Sequence, residues 1–350
     1  MFAHVVTGAD RDGTYELPRL GKMAVENAVA SPFPQARTVV MVNDDSNRAT
    51  GIGAATVCRL LGQTGCDDPP SELYVYVGTK QDRGGAIERA GLTNGRLYGV
   101  RVVRPDGTRV TGENVANVFG SVGFLPDARF ELVALGDDGD VSRQSGVQLQ
   151  DDAIENQVTQ FIRIEDGAWD PRPGHQGNYY FLSTGRITTS AATWRPSRLW
   201  QLHFDDITRP ERGGTIEMLL TNAFDADNVG DPGYQMLDNL TIDRLGRAIM
   251  QEDVGNNPRL GRIYLYDLDG GGPLVQVAVH NPRFFAGSAA TNPTFLTSDE
   301  ESSGIFDAAD ILGRGWFLLT SQSHAPSTDP ALVEGGQILG MYIDPSVGRD

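Results

Sequence analysis

Four apolar runs in this chain end in charge where a strand should be meeting its core. They are "VVMVNDDS" around Asp44 and Asp45, "QFIRIEDGAWDPR" around Glu165, "AIMQEDVGN" around Glu252 and Asp253, and "FLTSDEESSG" around Asp299 and Glu300. Carboxylates gathered in one place raise one another's pKa values and cost free energy unless a cation sits among them. Clustered Asp and Glu oxygens suit hard ions such as Ca²⁺, Mg²⁺ or ferric iron rather than soft metals. Arg163, two residues before Glu165, reads either as a cross-strand ion pair or as a bidentate clamp for a phosphate-like oxyanion. The plainer alternative is that these acids are turn residues making Asx-type bonds, or solvated charge.

Other chemistries find less support. The five histidines (His4, His175, His203, His280, His324) show no H-E-x-x-H or other paired spacing, which argues against a zinc hydrolase. There is no G-x-S-x-G elbow, and "GGTIEM" and "DGGGP" read as turns rather than phosphate loops. "GGAIERAGLTNG" is glycine-rich but lacks the strand-to-helix setting of a P-loop. Ser302 and Ser303 have no histidine near them in sequence and read as turn residues or as supports for the neighbouring acids.

The elements that must position these acids are short β-type runs. "RTVVMVN", "ELYVYVGTK", "RLYGVRVV", "RFELVAL", "NYYFLSTG", "RLWQLHFDD", "TIEMLLTN", "RIYLYDLD" and "QILGMYID" are rich in β-branched and aromatic residues and separated by turn formers. Helical signals are few: "AVENAVAS" and "DAADILG" read as one or two turns each. The fold class expected is all-β. "ELYVYVG", "RLYGVRV", "RLWQLHF" and "RIYLYDL" share an order of charge, aliphatic, aromatic and alternating apolar positions, as blades with unequal loops would leave behind. The expectation is therefore a β-propeller of about six blades, a single domain over 1–350 with an excursion near 46–70; a β-sandwich is the alternative. In a propeller the innermost strands end at one channel mouth, so acids far apart in sequence would meet there.

Composition bounds the partners. The 350 residues carry a formal charge of −17, from 46 acidic against 29 basic side chains, which repels nucleic-acid backbones and anionic lipid. No window approaches the apolar length of a membrane span. "MFAHVVTGADRDG" lacks the basic and apolar regions of a signal peptide. Cys58 and Cys66 are either a small disulfide or two free thiols.

"LGKMAVENAVASPF", "ELYVYVGTK", "IERAGLTNGRLYGV", "IRIEDGAWDPR", "SRLWQLHFDDI", "MLDNLTIDRLGR", "QEDVGN", "DEESSGIFDAADILGRGWFLL" and "VEGGQIL" together resemble the PhoX-type alkaline phosphatase family, over roughly Phe2 to Met341. The strings R-x-E-D-G-A-W-D-P and D-E-E-S-S-G are the most specific. The resemblance implies a β-propeller, usually of six blades, with an iron and calcium cluster at the channel mouth. It implies that Glu26 of "VENA" is an iron-binding glutamate, that Glu165 is a second metal ligand, and that Arg163 faces substrate phosphate. Asp238 and Asn239 in "LDNL", with Glu252 and Asp253 in "QEDV", match positions near calcium. Asp44, Asp45 and the triplet Asp299, Glu300 and Glu301 lie in matching segments, and Lys80 in "VGTK" could offer charge to phosphate. Family members carry an N-terminal portion, with an export signal and a metal-binding Cys-Glu-Glu or Gly-Glu-Glu, ahead of the point this chain resembles, so the chain matches their C-terminal part. The activity implied is hydrolysis of small phosphate esters in the periplasm or outside the cell. Rival expectations are a calcium-dependent lactonase-like hydrolase and a non-catalytic, calcium-stabilised propeller or truncated inactive homologue.

Overall fold

β-Branched and aromatic runs alternate with turns throughout this chain, and the computed structural model pairs them into twenty strands among the residues it describes. Those residues are 1–45, 70–112, 127–186, 194–222, 233–255, 257, 259–329 and 331–349. Cys58, Cys66 and nearly all of the expected excursion near 46–70 lie outside them.

The first two strands, β1 (Phe2–His4) and β2 (Thr14–Glu16), form a small antiparallel pair. Eleven strands then share one sheet: β3 (Val25–Ala30), β4 (Arg37–Asp44), β5 (Pro70–Thr79), β6 (Arg96–Val103), β7 (Arg109–Val110), β8 (Arg129–Ala134), β9 (Gln160–Ile162), β10 (Ile164–Trp169), β11 (Asn178–Ser183), β12 (Arg198–Phe204) and β13 (Gly214–Thr221). Their spatial order is β10-β11-β12-β13-β8-β6-β5-β4-β3, with β7 beside β6 and β9 beside β5. A four-stranded meander follows, β14 (Leu237–Ile242), β15 (Arg247–Glu252), β16 (Arg262–Asp267) and β17 (Val275–Val279). The last sheet holds β18 (Glu301–Asp307), β19 (Trp316–Pro326) and β20 (Glu334–Tyr342).

This order corrects the expected ring of blades. A propeller needs separate four-stranded sheets, whereas nine strands here lie on one unbroken hydrogen-bonded path. β6 pairs with β8 from Tyr98 opposite Ala134 to Val103 opposite Arg129, and β13 continues the sheet through Gly214 opposite Phe130. The recurring charge–aliphatic–aromatic pattern misleads for a physical reason. "ELYVYVG" is β5 and "RLYGVRV" is β6, and these are direct partners, with Val75 opposite Tyr98, rather than equivalent strands of successive blades. Alternation reports that a residue faces a core; it carries no address for the neighbouring strand.

Two compact units divide the chain. The first comprises Met1–Glu165, Gln176–Tyr179 and Trp200–Met218; the second comprises Asp166–His175, Tyr180–Leu199 and Leu219–Asp350. In the first, Val40, Val42, Tyr74, Tyr76 and Leu97 pack with Leu149 and Ala153 of the helix Gly146–Glu155. Ser145 caps that helix reciprocally with Gln148: each side chain accepts from the other's backbone N–H. In the second unit, Leu182, Leu240, Met250 and Tyr264 form one cluster, and Ile249, Leu265, Phe317 and Leu319 another. "DAADILG" does contain a helical turn, Ala309–Leu312, but "AVENAVAS" is strand β3 rather than a helix. No helix among the described residues is long and apolar enough to cross a membrane.

Candidate metal centre

The segment "QFIRIEDGAW" makes two strands because Arg163 interrupts it. β9 pairs with β5, placing Ile162 opposite Pro70 and Phe161 opposite Ser71. Arg163 then takes a left-handed backbone (φ 55), which a β-branched or bulky residue seldom adopts, and Ile164 opens β10. The turn is held from both sides. Ile164 N–H donates to Ser71 Oγ at 2.7 Å, and the Ser71 hydroxyl donates in turn to the Asp44 carbonyl. Asn43 Nδ2 donates to the Glu165 carbonyl at 2.5 Å, and Tyr179 OH fixes the amide by donating to Asn43 Oδ1 at 2.9 Å. Asn43 and Tyr179 are fully buried, so Glu165 sits on a frame with little freedom.

Glu26 arrives by a different device. Val25 lies opposite Asp44 and Asn27 opposite Asn43, so two steps along β3 match one step along β4. Glu26 is the extra residue of a β-bulge, which bends a strand and re-aims a side chain. Asp45, one residue past β4, is anchored by its N–H donating to Ala24 O at 2.9 Å. The three carboxylates converge: one oxygen each from Glu26, Asp45 and Glu165 lies within 4.8 Å of the other two.

Arg163 completes the group. Its Nε and Nη2 fork onto the two oxygens of Asp45 at 3.1 and 3.2 Å, and Nη2 lies 2.9 Å from Glu165 Oε1. Three carboxylates thus meet beside one guanidinium. Oxygens no more than 4.8 Å apart are as close as ligands of a single cation commonly stand, since two oxygens on opposite sides of a calcium ion lie about 4.8 Å from each other. An all-oxygen donor set of this kind can coordinate a metal ion. Glu165 is buried, Asp45 half-buried and Glu26 exposed, so the group is rooted on one side and open on the other.

Behind it stands a second pair of acids. Asp44 and Glu72 are both buried, and burial, then the Asp44 carboxylate, pushes the Glu72 carboxyl well above the usual carboxylate range. Burial and the neighbouring carboxylate thus both favour the neutral form of that group.

No family profile matches this chain, and no curated protein does. A solved structure does: Pseudomonas fluorescens PhoX in complex with vanadate, a transition state analogue, superposes with a TM-score of 0.60 over 93% of this chain and 54% of that one. The chain is similar in fold to PhoX. At 15% sequence identity the likeness is one of fold, and the chain spans about half the length of the PhoX structure it matches.

The further ligands that the PhoX resemblance implies lie in the second unit, grouped by a hairpin like that of Glu26. Leu237 lies opposite Glu252 and Asn239 opposite Gln251, which makes Asp238 the extra residue of a bulge. Asn239 Nδ2 donates to Asp238 Oδ1 at 2.7 Å and lies 3.5 Å from Glu301 Oε1, and Asp253 bridges to Glu301. Burial, and then the Asp253 carboxylate, raises the Glu301 carboxyl.

The remaining expected residues are placed within their own units. Glu252 is buried and occupied by protein donors: Arg259 Nη2 at 2.7 Å, Gln235 N–H at 2.8 Å and Arg262 N–H at 3.0 Å. Burial pushes its carboxyl up to about 7 against the opposing pull of Arg259. Glu300 is buried, accepts from Gly261 N–H at 3.1 Å, and is raised by burial. Asp299 donates its N–H to Thr297 Oγ1 in the turn that precedes β18. Ser302 and Ser303 belong to β18 rather than to a turn. Lys80 follows the end of β5 that is remote from Ser71, and nine residues of strand rise put it about 30 Å along from that serine.

Sequence reasoning passed over Asn43, Ser71 and Tyr179, the groups that hold the acids. A signal for Asn43 existed in a repeat. "VENA" with "VNDD" and "LDNL" with "MQED" run in parallel, each a bulged acid followed by Asn, opposite an amide and two acids.

Proposed function

We propose that this protein is a metal-dependent phosphoesterase acting on small phosphate esters, with Glu26, Asp45 and Glu165 holding the cation and Arg163 meeting the phosphoryl group. The observation that carries this reading is the convergence of three carboxylates within 4.8 Å beside a forked guanidinium. The fold likeness to PhoX, a protein solved with a transition state analogue bound, supports it. The donor set suits calcium and admits ferric iron, the two metals the family resemblance implies. A bound cation would supply Lewis-acid polarisation of the phosphoryl oxygens and neutralise their charge.

The chain's own groups account for the rest. Arg163 brings a fixed positive charge to an oxyanion: its side chain stays about a third exposed (31%) while its contacts to Asp45 and Glu165 hold it in place. Asp45 and Glu165 orient that fork before substrate arrives, so little reorganisation accompanies charge development in the transition state. Asn43 and Tyr179 keep Glu165 from turning away. The exposed side of Glu26 is where substrate enters. This reading carries with it a periplasmic or extracellular location.

The test is release of p-nitrophenol from p-nitrophenyl phosphate at alkaline pH, with added calcium and with chelator, alongside elemental analysis of the purified chain. Calcium-dependent turnover is expected, lowered about a hundredfold or more in Arg163→Ala, with metal content reduced in Glu165→Gln. Calcium-loaded protein that releases no phosphate, and a Glu165→Gln variant unchanged in both metal content and melting temperature, would overturn the reading.

A further inference from the structure

The second unit contains a cavity of about 830 Å³ with no charged residue in its lining among the described residues, in a chain that has 46 acidic and 29 basic residues. Its floor is one face of the last sheet. Ser302 lies opposite Ser321, Ser321 opposite Gln337, and Leu319 opposite Leu339. The floor is therefore graded along the strands, hydroxyl and amide at one end and aliphatic at the other. Phe284 and Phe285 of the short helix Pro282–Phe285 line the cavity together with Leu296. Their segment is tied down: Leu296 N–H donates to Phe284 O at 2.7 Å, and Asn292 Nδ2 donates to Arg283 O and Ala286 O at 2.9 and 3.0 Å.

Two polar groups of the lining have no hydrogen-bond partner among the described residues. Ser302 is 2% exposed and its Oγ is unpaired; His280 Nε2 is likewise buried and unpaired. The His280 ring stands edge-on to Phe285, 5.1 Å between centroids, and burial depresses its pKa to about 4, so it is neutral at neutral pH. Buried polar groups are normally satisfied, and unmet ones mark a place where a ligand group belongs. A volume in the range of small-molecule sites, mostly apolar walls and a few converging polar groups are the attributes of such a site.

We propose that this cavity binds an uncharged, largely apolar small molecule bearing one hydroxyl, with the hydroxyl taking up the unmet hydrogen-bonding capacity of Ser302 and His280 and the body lying against Leu319, Leu339 and Met341. Charge complementarity decides the class. With no cation in the lining, a phosphate or carboxylate would enter unpaired and pay its full desolvation cost. The inference is separate from the phosphoesterase reading and does not depend on turnover.

The probe is 2-naphthol, an uncharged fluorescent phenol at neutral pH, compared with naphthalene-2-sulfonate, its charged counterpart, by fluorescence titration of the full chain. Saturable one-to-one binding of 2-naphthol is expected, with the sulfonate at least about tenfold weaker. Ser302→Ala should weaken 2-naphthol about three- to tenfold. Leu339→Asp, at a position 39% exposed and so tolerant of charge, should abolish binding with the melting temperature retained. If Ser302→Ala does not fold, Leu339→Asp and the sulfonate still decide. Unsaturable binding, equal affinity for the sulfonate, or wild-type affinity in Leu339→Asp would each overturn the proposal.

Discussion

Arg163 serves backbone and side chain at once, and the two demands conflict. Its left-handed φ of 55 costs about 1–3 kcal/mol in a non-glycine residue, yet only this kink brings the guanidinium back over Asp45 and Glu165. Glycine would accept the backbone and lose the fork. Arg163→Gly is therefore expected to leave the melting temperature equal or higher while phosphate-ester turnover collapses; a parallel loss of both would mean that the arginine is structural. Arg163→Lys keeps the charge without the bidentate geometry and should recover only a small part of the activity. His280 yields a second expectation at this scale. Burial lowers its pKa from 6.5 to about 4, so between those values the unfolded chain binds a proton that the native state refuses. Its contribution to stability is complete above pH 6.5 and is lost as pH falls toward 4. The melting-temperature gap between wild type and His280→Gln should then narrow or reverse from pH 7.5 to pH 5, and a constant gap would contradict it.

Whole elements show where sequence reading succeeds and where it stops. The acids at strand ends were legible because "VVMVNDD" and "FIRIED" pass abruptly from apolar to charged, and three of the acids so marked or matched do meet, Glu26, Asp45 and Glu165. The bulge that delivers Glu26 was not legible, because an extra residue shows itself only against its partner strand. For the same reason "AVENAVAS" read as a helical turn although it pairs residue by residue with β4. The order of strands escaped altogether: fully buried runs such as β11 and β15 have no solvent-facing side to say what they pack against. The helix Gly146–Glu155 could have been found, since Ser145 and Gln148 stand at capping-box spacing ahead of it. The bulge is open to test by removing it. Deleting Glu26 should restore regular pairing of β3 with β4 and leave far-ultraviolet circular dichroism unchanged while bound calcium falls. Loss of β signal would show that the hairpin depends on the bulge itself, and unchanged calcium would remove Glu26 from the site.

At the scale of the molecule the governing quantity is charge. A net −17 makes compaction work against self-repulsion, and any salt relieves part of that by screening. Screening depends on ionic strength alone, whereas a coordinated cation stabilises by mass action, about 2.7 kcal/mol at a hundred times its Kd. The two are separable by titrating calcium and sodium at matched ionic strength and following the melting temperature. Calcium should raise it well beyond sodium, with saturation rather than a continuing drift, and chelator should return it to the sodium curve. Glu165→Gln should flatten the calcium response while leaving the sodium response as in wild type, because it removes one ligand of the group but only one charge of seventeen. Coincident calcium and sodium curves would mean that the converging carboxylates of Glu26, Asp45 and Glu165 are held by protein groups without a cation, and the metal-dependent reading would fall with them.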